Sequence, residues 1–194
     1  MDRSRSTAAT AIFVGGVVAV VAFIPFTLAH GPTSYNLERE VLGWDMHYWG
    51  LLLGTIPELL VGAGLWRLRG LLAGDSRVAT RALTVMCIAM FLFAAMNVAF
   101  RGIGPPFDLF LLAPACLVAA RTTATRGALR GLLSVLATAY CVALAVALLP
   151  EETSDSFGGY RIFGLVAYAG AGALWAVLGA RLLRGDAIPA DLGN

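Results

Sequence analysis

The sequence predicts an all-α integral membrane fold, an up-and-down bundle of six transmembrane helices with both termini in the cytoplasm. Three observations carry that reading. Of 194 residues, 59% are apolar and only 13% charged, whereas soluble domains are about half apolar and a quarter charged. Six stretches reach or approach the roughly 20 apolar residues that a helix needs to cross the hydrocarbon core. The arginines, finally, cluster on alternate connections between those stretches. A mean hydropathy of +0.79 excludes an ordinary soluble enzyme and a disordered chain. A net charge of +2 gives no reason to expect a nucleic-acid partner.

The expected spans are 8–29, 46–66, 78–100, 106–120, 127–149 and 160–183, together one transmembrane domain. Gly31-Pro32, Gly104-Pro105-Pro106 and Pro150 punctuate them. The fourth is short, since 19 residues separate Arg101 from Arg121 and two prolines open it. The charge pattern on either side still requires it to cross. Arg3, Arg5, Arg67, Arg69, Arg77, Arg81, Arg121, Arg126, Arg130, Arg181 and Arg184 would lie on one side, and only Arg39, Arg101 and Arg161 on the other. The positive-inside rule then gives a multi-pass protein of the plasma (inner) membrane with cytoplasmic termini. Glu38, Glu40, Asp45, Glu151, Glu152 and Asp155 would make the outer surface mildly acidic.

The first span also carries marks of a cleavable signal peptide: Arg3 and Arg5, an apolar run from Ala11 to Ile24, then Pro25 and Thr27-Leu28-Ala29. Its apolar region is long for such a segment, so it is read as a retained helix. Cys87, Cys116 and Cys141 all fall inside spans without CxxC spacing and read as small buried hydrophobes. Helices in lipid associate through small residues, and Gly15 with Ala19, Gly50 with Gly54, and Gly172-Ala176-Ala180 supply such faces.

Ionisable residues inside a span are costly unless buried against polar partners, so they mark candidate sites. Glu58 stands out near the middle of the second span, directly after Pro57. That proline also frees a backbone carbonyl about one turn earlier, near Leu53. His47, Gly54 and Glu58 share a helical face, with Glu58 about 16 Å deeper than His47. This face is expected to form a polar groove opening outward. Asn97 and Arg101, four residues apart, share a face of the third span, and Asp108 opens the fourth, which Pro114 interrupts. Arg101 with Asp108 reads first as an interfacial salt bridge. Trp44, Tyr48 and Trp49 read first as an aromatic belt, and His30 and His47 as interfacial polar residues rather than metal ligands.

Several chemistries lack their residues. There is no lysine for a retinal Schiff base, no GxSxG, no HExxH and no phosphate-binding loop, and two histidines are too few for paired haems. No cofactor or metal is expected. The expected function is a membrane-embedded enzyme or binding protein for a lipophilic substrate, an isoprenoid or another lipid, of the lyase, isomerase or cyclase type. A protonated Glu58 would act as general acid, with Asp108 or Asp45 as counterpart base. His47, Trp49, Asn97, Arg101 and Phe93 would line the pocket, the aromatic rings offering π faces to a developing cation. One alternative is a small proton-coupled transporter or channel subunit, with Glu58 cycling its proton and Arg101 and Asp108 as an outer gate. Another is a structural or assembly subunit in which Glu58 only ties helices together. Membrane lipids are the expected partners in every case, and the sequence does not fix the oligomeric state.

Overall fold

A computed structural model describes residues 3–30, 39–101, 108–122, 128–149 and 162–185. The punctuating Gly31-Pro32, Gly104-Pro105-Pro106 and Pro150 lie outside the described residues, as do Glu38, Arg126, Glu151, Glu152, Asp155 and Arg161. The described chain is helical apart from short turns at the helix ends, one of which pairs Val41 with Trp44. Its elements are α1 (Arg3–His30), α2 (Met46–Ala73), α3 (Arg77–Ala99), α4 (Leu109–Thr122), α5 (Ala128–Ala147) and α6 (Ile162–Arg184). All except α4 contain a stretch long and apolar enough to cross a membrane.

α1 begins five residues before the expected span and α2 runs past the end of its own, while α4 is short as expected. α2 continues to Ala73 beyond the arginines that were to end it, because Leu68 and Leu72 keep its inward face apolar and buried. It stops at Gly74, whose positive φ of 55° suits a residue without a side chain, and whose N–H bonds the Gly70 carbonyl. α4 has only 14 described helical residues, about 21 Å at 1.5 Å per residue, against a hydrocarbon core of roughly 30 Å. The other ends follow local chemistry. Asp45 caps α2, accepting the His47 and Tyr48 N–H groups at 2.9 and 3.1 Å, and Ser76 caps α3 by accepting from Ala79.

Each helix packs on its neighbours in the chain, and α6 closes back on α1, so the six form a ring. Adjacent glycines let α1 approach two partners. A side chain at Gly15 would meet Pro57, Leu60 and Val61 of α2, and one at Gly16 would meet the α6 backbone at Gly172 and Ala176. This is close packing through small residues. The larger core cluster joins Leu65, Leu72, Leu83, Met86, Leu133 and Leu178. A smaller one gathers Phe23, Phe26, Met46 and Leu53 between α1 and α2.

α6 is not a uniform α-helix. Leu165–Gly170 form a π-helical segment, a local widening that is rare and frequent at functional sites. Gly164 and Gly170 bracket it, and Ala167 and Tyr168 within it face the interior clefts.

Candidate functional site

Glu58 sits where two narrow interior clefts meet. The first runs between α1, α2, α5 and α6 past Gly16, Leu53, Pro57 and Trp175, and the second reaches α3 and α4 at Phe93, Asp108 and Leu109. Glu58, Tyr140, Ala167 and Tyr168 line both. Each holds about 10 Å³ of free space, close to the minimum for a single water.

The local sequence explains how these groups arrive there. Pro57 lacks the N–H that would bond the Leu53 carbonyl, and both residues are buried beside Glu58. Asp108 starts α4, its carbonyl accepting from Leu111 and Leu112 at 2.9 and 2.8 Å, which carries its side chain to the cleft. Oε2 of Glu58 and Oδ1 of Asp108 are both buried, and among the described residues neither has a hydrogen-bond partner. No arginine lines either cleft, and Asp108 shares the second with Glu58. Trp175 Nε1 donates to the Tyr140 oxygen at 2.9 Å. An indole N–H can only donate, so Tyr140 accepts there and keeps its own proton for another partner.

No family model, curated protein or solved structure matches this chain. The site is therefore read from its own residues.

Of the residues expected to form the site, the structure brings Glu58, Asp108 and Phe93 together and places the others elsewhere. The expected groove from His47 through Gly54 to Glu58 is closed. Asn97 fills it, and a Cβ on Gly54 would stand 2.6 Å from Asn97 Nδ2. Asn97 is buried and clamps α3 to α2, its Nδ2 lying 3.2, 3.1 and 3.1 Å from the Gly50 carbonyl, the Leu51 carbonyl and Thr55 Oγ1. Two N–H protons serve three acceptors, so one bond is shared. His47 is half-buried near the start of α2, with Nδ1 lacking a partner among the described residues, and lines neither cleft.

Asp45 caps α2, its carboxyl engaged by backbone N–H groups 13 residues before Glu58, and lines neither cleft. Trp49 donates to the Val41 carbonyl at 3.0 Å and packs on Trp44 with ring centroids 4.9 Å apart. It thereby holds the 41–44 turn on α2. Arg101 ends α3 with a left-handed φ of 51° and is exposed. Among the described residues it makes no ion pair with Asp108, so the expected salt bridge is not formed there. The described residues contain no group of three His, Cys, Asp or Glu side chains that could hold a metal.

Sequence reasoning missed Tyr140, Tyr168 and Trp175. A signal was present. Tyrosine and tryptophan in membrane helices favour the interfaces, whereas these three lie well inside α5 and α6, where a hydroxyl or indole N–H needs a polar partner.

Proposed function

We propose that the chain is a six-span protein of the plasma membrane, with both termini cytoplasmic, whose interior carries an acid–base site for a lipophilic small molecule. One observation carries the reading. Glu58 and Asp108 share a cleft whose other lining is apolar or aromatic, with an unpartnered carboxyl oxygen on each. Buried polar groups without partners are rare in native proteins and call for a reason. Two carboxyls can divide the labour of acid and base, and Phe93, Phe163 and Tyr168 give the apolar and aromatic surroundings that an isoprenoid or similar lipid requires. The widened turn of α6 is the element that would yield to admit one.

A second reading, a proton-coupled carrier, is favoured by the size of the clefts, which suit water and protons without rearrangement. One comparison separates the two. The full chain is purified in lipid nanodiscs, and the small molecules retained by wild type, Glu58→Gln and Asp108→Asn are identified by mass spectrometry. The site reading expects a lipophilic compound held by the wild type and lost or left unconverted in both variants, with turnover lowered about 100-fold, the usual effect of removing a general acid or base. Identical profiles in all three would remove this reading. Uptake into proteoliposomes that is driven by a pH gradient and abolished by Glu58→Gln would establish the carrier instead.

A further inference from the structure

Away from the carboxyl site, a groove of about 350 Å³ runs along the outer face of the bundle between α3 and α4. Ala82 and Ala115 form its buried floor, and the exposed side chains of Val85, Pro114 and Val118 form its walls. It exists because small residues meet where the two helices touch. Arg81 is the one ionisable residue among its lining. It is exposed, and among the described residues no hydrogen bond or ion pair engages its guanidinium. Arg77 lies one turn earlier on α3 and Arg121 at the end of α4, both exposed. The acid nearest in sequence is Asp75, which sits exposed in the turn before α3.

An arginine this close to a span end reaches toward the interface, where its natural counter-ion is a lipid phosphate. Basic pockets between transmembrane helices on the cytoplasmic side bind anionic head groups. We propose that this groove binds an anionic phospholipid, with its phosphate on Arg81, flanked by Arg77 and Arg121, and one acyl chain between Val85 and Val118. Charge decides the occupant. A neutral helix would fill the apolar part and leave Arg81 without an anion, whereas a phospholipid satisfies both parts at once.

The test uses the full chain in nanodiscs containing equal amounts of phosphatidylglycerol and phosphatidylcholine, with retained lipid counted by native mass spectrometry after transfer to detergent. Wild type should retain phosphatidylglycerol preferentially. Arg81→Gln should lower that preference about fivefold, the factor expected for one arginine at a lipid surface. Arg184→Gln, on α6, should leave it unchanged. Val118→Phe fills the groove from an exposed position and should reduce retention of both lipids, and Val85→Phe does the same from the other wall should the first variant fold poorly. Inorganic phosphate should not displace the lipid, because it lacks the chain. Equal retention of both lipids by wild type, an equal loss in Arg184→Gln, displacement by phosphate, or full retention with the groove filled would each overturn the proposal.

Discussion

Two polar side chains lie between apolar helices, Asn97 buried and Glu58 half-buried, and their surroundings are opposite. Asn97, at the seam of α2 and α3, has three acceptors within 3.2 Å. Glu58, about a turn below that seam on α2, has an oxygen buried without any partner among the described residues, and faces a second carboxyl in the same condition. A polar group that is fully bonded across two helices is a fastener. A group left unpaired in the interior lowers stability and calls for a reason other than stability. The contrast separates a residue that fastens two helices from a carboxyl pair that fastens none among the described residues.

The largest expected effect tests the fastener. Asn97→Ala removes the amide and opens a gap against Gly54. Hydrogen bonds between membrane helices contribute about 0.6 kcal/mol on average and up to nearly 2, so a loss of roughly 2 kcal/mol is expected, gap included. Reversible unfolding in mixed micelles measures it. A change within error would mean that the Asn97 bonds do not hold the seam, and the comparison would lose its first half.

The opposite sign is expected at Glu58. Glu58→Met keeps the volume and removes the unpartnered oxygen, and replacing an unsatisfied buried polar group with an apolar one is neutral or stabilising. Stability should stay level or rise by about 1 kcal/mol, read in the same unfolding assay. A loss as large as that of Asn97→Ala would make Glu58 a second fastener and count directly against the proposed site.

The same contrast shows what sequence can reveal. The helices, their order and nine of their twelve boundaries to within two residues were readable, because long apolar runs and the charges between them mark such helices. Glu58 and Asp108 stood out as carboxyls where lipid should be. Asp108, expected as one of two counterparts to Glu58 at the opening of the fourth span, shares a cleft with it, while the groove drawn through Gly54 ignored the asparagine that fills it. Helical periodicity says which residues share a face but not which neighbour occupies the space in front of that face. Asp45 and Arg101 were misplaced for a related reason. A charge at a helix end is as readily a cap or a lipid-interface group as part of a site, and spacing alone does not separate those uses. The π-helical turn of α6 left no mark in the sequence beyond its glycines and alanines.

The smallest expected effect lies at the border between the two kinds of polar group. Tyr140 accepts a hydrogen bond from Trp175, as a fastener would, yet among the described residues nothing takes its own proton, and it lines both clefts beside Glu58. A double-mutant cycle over Tyr140→Phe and Trp175→Phe isolates their bond, since Tyr140→Phe removes only the hydroxyl and the cycle subtracts the packing that Trp175→Phe loses with its fused ring. The coupling should be about 0.6 kcal/mol, the mean for such bonds in a membrane protein. Its size matters less than its company. If Tyr140→Phe lowers turnover or uptake while Trp175→Phe, with the same coupling lost, does not, the hydroxyl proton belongs to the chemistry and the indole only steadies it. If both variants lose function equally, the bond itself positions the tyrosine. If neither does, Tyr140 belongs with Asn97, and the acting part of the molecule contracts to the two carboxyls.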